Sequence, residues 1–183
     1  MSKLDAALET LVRTLQASTV RVHDGRRGSG SGIIWNAAGL IVTNAHVACG
    51  STATVEFPDG ATLRAPVVRR DTDLDLAALR VPPNPGLLAV NIRDSRTLAP
   101  GELVVAVGNP LGLQGAVTAG LVHRCNRRWV VADVRLAPGN SGGPLADAAG
   151  YVVGINSMIA RGLALAVPSS AVAAFLGEDA LAA

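Results

Sequence analysis

A serine enclosed by glycines carries the clearest chemistry in this sequence. It is Ser141, the third residue of the stretch Gly-Asn-Ser-Gly-Gly-Pro-Leu, residues 139–145. A tight glycine turn can expose the serine hydroxyl and direct backbone N–H groups at a point beside it. Acyl transfer needs both features, because the hydroxyl is the nucleophile and the N–H groups stabilise the oxyanion that forms. The alternative is a glycine-rich loop with a surface serine.

A base for this serine has to be found among three histidines. His46 directly follows the apolar run Leu-Ile-Val at 40–42, so it lies where a predicted strand ends. His23 stands among charged residues and His123 stands inside a strand-like run. A single histidine is more often structural than catalytic, but the setting at a strand end favours His46 as the base.

Three aspartates at alternate positions, Asp71, Asp73 and Asp75, precede the apolar run 76–79. Asp75 is next to the predicted strand, where its carboxylate could lie behind an imidazole, fix the tautomer and stabilise the imidazolium. The alternatives are a solvated acidic turn and a calcium loop. A calcium loop would need glycine next and glutamate at its end, whereas Leu76 follows Asp75.

With these residues in place, the chain resembles the trypsin-like serine proteases, and within them the HtrA (Deg) group. The order His, Asp, Ser matches that family, and the matching blocks cover most of residues 28–170. The blocks are GSGSGIIWNAAGLIVTNAHV (Gly28–Val47), DLDLAALRV (Asp73–Val81), GELVVAVGNPLGLQGAVTAGLV (Gly101–Val122), APGNSGGPLADAAGYVVGINSM (Ala137–Met158) and LALAVPSS (Leu163–Ser170).

The resemblance implies an all-β fold of two six-stranded antiparallel β-barrels, with an N-terminal and a C-terminal helix. It implies a serine endopeptidase that cleaves protein or peptide substrates through an acyl-enzyme intermediate. His46 and Asp75 would come from the first barrel and Ser141 from the second, with the active site in the cleft between them. The N–H groups of Gly139 and Ser141 would form the oxyanion hole, and Asn140 would shape its loop. No cofactor and no metal are implied.

The resemblance also implies a pocket for the side chain before the cut. Its predicted lining is Arg135, Leu136, Ile155, Asn156, Ser157, Leu163 and Ala166. The strand at 155–157 would pair with the substrate backbone. Mostly apolar walls predict an aliphatic side chain before the cut. Arg135 stands where HtrA relatives carry a small residue. Pointing inward it would favour an acidic side chain, although an arginine more often reaches solvent.

The length suits one domain, or two small lobes that share a cleft. Of 183 residues, 49% are hydrophobic and only 3% aromatic, which predicts a core of Val, Leu, Ile and Ala. A net charge of +2, with scattered basic residues, argues against nucleic acid as a partner. No apolar run reaches the ~18 residues of a membrane helix. The two cysteines are predicted to be free thiols, with Cys49 buried.

The resemblance implies a single trypsin-like protease domain over 1–183, and local patterns predict its elements. A helix is expected over 3–17, and a final helix capped by Ser169 or Ser170 is expected to run to about Leu176. Residues 58–60 predict a hairpin turn, and the proline-rich break at 82–86 begins a linker to about 99. The first barrel (18–82) is predicted from strands near 19–23, 31–36, 39–43, 52–57, 61–69 and 75–81, and the second (100–168) from strands near 102–108, 116–123, 129–133, 144–146, 151–157 and 163–167.

Two departures from the HtrA pattern affect regulation. The chain ends at residue 183, without room for the PDZ domain that usually follows, and the segment between Val122 and Pro138 is shorter than the family's regulatory loop. A stand-alone protease or one with a different regulatory partner is therefore expected, and a homo-oligomer stays open. Charged residues interrupt any signal-peptide core near the N-terminus. The sequence as written thus predicts a cytoplasmic protein, periplasmic or secreted if a leader was removed.

Two other functions are compatible with part of this pattern. One is a catalytically silent barrel that binds peptides or acts as a chaperone. The intact serine, histidine and aspartate favour the active enzyme over it. The other is an esterase that uses the same three residues. Its α/β-hydrolase form is disfavoured because the chain lacks the alternation of strands and helices that this fold requires.

Overall fold

Twelve strands lie between two helices in the computed structural model, which describes residues 3–25 and 29–177. Gly28 of the histidine block lies outside these residues. The helices are α1 (Lys3–Ala17) and α2 (Ser169–Leu176). The strands are β1 (Thr19–His23), β2 (Ser29–Asn36), β3 (Leu40–Thr43), β4 (Thr52–Glu56), β5 (Thr62–Asp71), β6 (Leu76–Arg80), β7 (Leu103–Gly108), β8 (Ala116–Cys125), β9 (Val130–Ala132), β10 (Pro144–Asp147), β11 (Val152–Ala160) and β12 (Leu163–Pro168).

The strands close into two antiparallel barrels of six strands each. The first has the order β1-β2-β3-β6-β5-β4 and the second β10-β11-β12-β9-β8-β7. Closure pairs both edges of every strand along part of its length, which removes the open edges that would promote aggregation. The predicted fold class is confirmed, while the domain boundaries stay a prediction.

Three apolar clusters hold the fold together. Each barrel encloses one of them, around Ile41 and Val55 in the first barrel and around Leu145 and Val153 in the second. The third cluster draws residues from both barrels, with Ile33 and Val42 from the first and Ile155 from the second. Because this shared cluster is buried, it holds the two barrels against each other and fixes the cleft between them.

The connections also follow the predicted pattern. Residues 57–61 form the β4–β5 hairpin turn, in which Phe57 N–H donates to the Ala61 carbonyl at 2.8 Å. The inter-barrel segment lies against both barrels, because Val90 N–H donates to Ile34 and Arg93 N–H donates to Val152. Neither of the two helices in the described part is long and apolar enough to cross a bilayer.

Two local predictions are wrong. Pro168 occupies the N-cap position of α2, and no side chain caps that helix. The Ser169 hydroxyl instead donates to the Arg93 carbonyl at 2.6 Å, so it fastens the inter-barrel segment to α2. Cys49 is exposed rather than buried, because it lies in the turn that follows His46. Both cysteines are free thiols, as predicted.

Candidate active site

The β3–β6 ladder brings His46 and Asp75 together. Thr43, at the end of β3, pairs with Ala77 near the start of β6. His46 follows β3 by three residues and Asp75 directly precedes β6, so both side chains emerge at the same end of this ladder. The two residues are 29 positions apart in the chain, yet the antiparallel register makes them neighbours.

The carboxylate of Asp75 holds the imidazole of His46 through several contacts. His46 Nδ1 lies 2.9 Å from Oδ1 and 2.8 Å from Oδ2. The backbone N–H of His46 also donates to Oδ1 at 3.1 Å. Since a carboxylate only accepts, Nδ1 carries a proton, and the contact selects the tautomer in which Nε2 of the neutral ring is an acceptor. The His46 side chain is half exposed, while Asp75 is mostly covered.

Asp75 adopts a left-handed backbone conformation, with a φ of 55°. This conformation is costly for a residue with a side chain. Asn44 supports it, because its side-chain amide donates to the Asp75 carbonyl at 2.8 Å. Backbone strain held by a neighbouring side chain is typical of sites where one side-chain direction is required.

Ser157 supplies a further contact to this carboxylate. Its hydroxyl donates to Asp75 Oδ2 at 2.7 Å, across the cleft from the second barrel. Burial raises the pKa of Asp75, but the hydrogen bonds from His46 and Ser157 outweigh it and hold the pKa below its ordinary value. Asp75 is therefore ionised at neutral pH. Sequence reasoning placed Ser157 in the substrate pocket and missed this contact.

The loop before Ser141 forms a tight turn over Ala137–Asn140, closed by a 3.0 Å bond from Asn140 N–H to the Ala137 carbonyl. Gly139 has a φ of 109° and follows Pro138, which are the features of a type II turn. The Pro138 carbonyl accepts from Leu111 N–H at 3.2 Å. In a trans peptide the N–H points opposite to the carbonyl, so the Gly139 N–H faces away from the Leu111 loop.

Ser31 of the first barrel fastens this turn from behind. Its buried hydroxyl donates to the Gly139 carbonyl at 2.7 Å and accepts from Asn109 N–H at 2.8 Å. Its backbone N–H donates to the Ser141 carbonyl at 2.7 Å. Ser31 lies in the first of the matching sequence blocks, but its role could not be predicted, because the residues that it binds are about 78–110 positions away.

The Ser141 hydroxyl donates to the Ser157 carbonyl at 2.9 Å. Within the described residues its partner is this carbonyl and not Nε2 of His46. Ser157 thus contacts both Asp75 and Ser141. A histidine–aspartate pair, a serine and a glycine turn consequently occupy one end of the cleft between the barrels.

The predicted pocket residues lie in different surroundings. Ile155, Asn156 and Ala166 have no exposed surface. Ile155 packs in the shared cluster, whereas Ala166 and Leu136 pack in the cluster of the second barrel. The Asn156 amide donates to the Pro144 carbonyl at 2.8 Å and so supports the chain after Ser141. Ile155, Asn156 and Ala166 therefore do not line an open pocket in this structure.

Arg135, Leu136 and Leu163 are the accessible members of the predicted lining, with Arg135 exposed and both leucines half-buried. The Arg135 carbonyl accepts from the Thr118 hydroxyl at 2.8 Å, which fixes its backbone. Asp71 and Asp73 do not join the site. Asp71 Oδ1 accepts from the N–H groups of Asp73 and Leu74, both at 2.9 Å, and closes a turn.

A protein family described as "Trypsin-like peptidase domain" matches residues 30–155 of this chain. The chain belongs to this family. Its matched region contains the histidine, the aspartate and the serine. Sequence resemblance had predicted the same family.

Several relatives within the trypsin-like peptidases are named as serine proteases. The putative serine protease HhoB of Synechocystis is 40% identical over 158 residues, which cover 78% of this chain and 38% of HhoB. Serine protease HTRA3 of Rattus norvegicus is 37% identical over 170 residues, which cover 82% of this chain and 37% of HTRA3. The chain thus spans less than half the length of these relatives.

A solved structure shares the architecture over almost the whole chain. The crystal structure of the serine endoprotease from Yersinia pestis superposes with a TM-score of 0.86 at 29% identity. The match covers 97% of this chain and 66% of the Yersinia chain. The two barrels and their arrangement are therefore those of this peptidase group.

Proposed function

We propose that this chain is a serine endopeptidase in which Ser141, His46 and Asp75 form the catalytic triad. The observation that carries the proposal is the Nδ1 contact of His46 with both oxygens of Asp75, at 2.8 and 2.9 Å. This contact fixes the tautomer with the proton on Nδ1, so that in the neutral imidazole Nε2 is the nitrogen that can act as general base. The relatives named as serine proteases support the same activity.

The reaction begins with attack of Ser141 Oγ on the carbonyl of the scissile bond. For this step the hydroxyl must exchange its present acceptor, the Ser157 carbonyl, for His46 Nε2. Catalytic hydrogen bonds often form only once substrate is bound. His46 takes the proton and then gives it to the leaving amine, which departs as the acyl-enzyme forms. Water attacks that ester, again with His46 as base, and releases the acid and the free Ser141 hydroxyl.

The oxyanion would be held by the N–H groups of Gly139 and Ser141. The bond from Leu111 N–H to the Pro138 carbonyl supports this, because it turns the Gly139 N–H away from the Leu111 loop. The Asn140 N–H closes the turn, and the Ser31 hydroxyl holds the Gly139 carbonyl. Removing one such donor typically raises the barrier by about 3–4 kcal/mol.

A substrate would bind along β11. This strand pairs with β10 only as far as Ile155, whereas it pairs with β12 as far as Ala160. Residues 155 and 156 of the predicted substrate segment are already paired with residues 142–144, so the open edge lies after Ser157 and not at 155–157. Met158 and Ile159 are exposed there and can accept an extended peptide. Backbone pairing of this kind would give affinity with little sequence preference. Protein or peptide substrates fit this edge, and an oligomer or a regulatory partner is compatible with it.

One observation favours a second candidate, a silent peptide-binding or chaperone barrel. The Ser141 hydroxyl is bound to the Ser157 carbonyl, so the nucleophile is not in contact with its base. A barrel with the same open β11 edge could hold peptides without cutting them.

Labelling with a fluorophosphonate separates the two. The endopeptidase should be modified at Ser141 alone, located by mass spectrometry. Ser141→Ala should abolish both labelling and peptide cleavage while leaving the circular dichroism spectrum unchanged. Unlabelled wild-type protein that still suppresses aggregation of a denatured client would instead support the silent barrel. Cleavage of esters but not peptides would indicate an esterase.

A further inference from the structure

Arg70 reaches from β5 to the loop that carries His46. Its Nη2 donates to the Ala48 carbonyl at 2.6 Å and also to the Gly50 carbonyl. These carbonyls follow His46 by two and four residues. One guanidinium nitrogen therefore binds two carbonyls of the loop, in the part of the chain that follows His46.

The strand that carries Arg70 is also tied to Asp75. Arg70 pairs with Ala77 across the β5–β6 ladder, and Asp75 directly precedes β6. Arg70 thus connects the loop of His46 with the strand pair that begins beside Asp75. The backbone bonds of the loop itself are long, since Val47 and Ala48 N–H both donate to the Asn44 carbonyl at 3.2 Å.

We propose that Arg70 is a positioning residue that keeps His46 in register with Asp75. The proposal rests on the proposed peptidase function. It goes beyond the triad, because Arg70 touches neither His46 nor Asp75 and acts through the two carbonyls. Charge-assisted bonds to a carbonyl are stronger than neutral ones, so this contact restrains the loop more than a neutral side chain would.

Without Arg70 the loop should shift by a fraction of an ångström, which weakens the alignment of Nδ1 with the carboxylate. Misplacement by about 1 Å can cost about a hundredfold in rate. Arg70 belongs to β5 of the first barrel and bonds to Ala48 and Gly50, whereas the proposed substrate edge is β11 of the second barrel, so substrate binding should be unaffected. The expected signature is a lower kcat with an unchanged KM.

The neighbouring Arg69 provides a matched control. Its guanidinium lies 5.2 Å from the centroid of the Phe175 ring, so it packs against α2 rather than against the loop. Arg69→Met removes the same charge from the same strand. Any loss common to Arg69→Met and Arg70→Met would come from net charge or from the stability of β5.

The experiment compares wild type, Arg70→Met, Arg70→Lys and Arg69→Met by peptide hydrolysis and by NMR of the His46 Nδ1 proton. Arg70→Met should lower kcat about 10- to 100-fold, leave KM unchanged, and move or broaden the low-field Nδ1 resonance. Arg70→Lys should recover part of kcat, and Arg69→Met should match wild type. If Arg70→Met does not fold, Arg70→Lys is used instead, and a reduced kcat with an altered Nδ1 resonance in that variant would support the proposal.

Wild-type kcat together with an unmoved Nδ1 resonance in Arg70→Met would overturn the proposal, as would a loss confined to KM. The resonance is independent of turnover. If wild-type protein cuts no substrate, the proposed function fails, while the effect of Arg70 on the His46–Asp75 contact is still measured.

Discussion

The Ser157 hydroxyl and Nδ1 of His46 share one acceptor, Oδ2 of Asp75, at 2.7 and 2.8 Å. Donors from both barrels therefore bind the same carboxylate, since His46 comes from the first barrel and Ser157 from the second. The Ser157 carbonyl meanwhile accepts from the Ser141 hydroxyl. Ser157 of β11 consequently orients both Asp75 and Ser141 of the proposed triad.

Ser157→Ala should therefore lower the stability of the folded protein by an amount that depends on pH. The folded-state pKa of Asp75 is depressed, so its contribution to stability is present at neutral pH and is lost as pH falls through that pKa. Removing the hydroxyl raises this pKa. The free energy of unfolding should fall by about 1.5–3 kcal/mol at pH 7, and the difference from wild type should shrink below about pH 4.

Urea unfolding between pH 3 and 7 measures this difference. Ser157→Thr keeps the hydroxyl and serves as the control. A destabilisation that is the same at every pH would mean that packing of Ser157, and not its bond to Asp75, is responsible.

Among the three aspartates only Asp75 should be needed for turnover. Asp75→Asn leaves the shape but favours the wrong histidine tautomer, and should lower kcat by about four powers of ten. His46→Ala should act similarly. Asp71→Asn keeps the oxygen that closes its turn, and Asp73 is exposed, so both variants should have nearly wild-type kcat in a peptide assay. An equal loss in Asp73→Asn would show that the assignment is mistaken.

Gly142→Ala should destabilise the protein far more than Gly150→Ala. Both glycines have left-handed φ values, 88° and 87°. A Cβ at residue 142 would lie 2.0 Å from the Ser31 carbonyl oxygen, whereas one at residue 150 would meet nothing within 4 Å. Gly150→Ala should cost only the conformational term of about 1–2 kcal/mol. Thermal unfolding compares the two, and equal losses would contradict the crowding behind Ser141.

Cleavage of a peptide library should show a broad preference for valine, leucine or alanine before the cut. The accessible predicted lining, Arg135, Leu136 and Leu163, has no acidic side chain to pair with a lysine or arginine there. Aliphatic side chains are separated by only about 1–3 kcal/mol. We expect the Arg135 side chain to extend into solvent, so Arg135→Ala should leave this profile unchanged. A preference for Asp or Glu that disappears in Arg135→Ala would show that Arg135 faces the substrate.

Much of this molecule could be predicted from local patterns. Short apolar runs between turn residues predicted the strands of both barrels, because a strand with a buried face needs regularly placed apolar residues. The glycine turn around Ser141 and the positions of His46 and Asp75 at strand ends also required only neighbouring residues. The predictions that Cys49 is buried and that a serine caps α2 were wrong, because both depend on what packs against a turn or a helix end.

Only the tertiary structure decided which distant groups support the site. The bond from Ser157 to Asp75 spans 82 positions, that from Ser31 to Gly139 spans 108, and that from Arg70 to Ala48 spans 22. A hydroxyl or guanidinium in the sequence has many possible acceptors. Its actual partner is set by strand register and by the packing of one barrel on the other, because a hydrogen bond requires its two atoms to lie within about 3 Å.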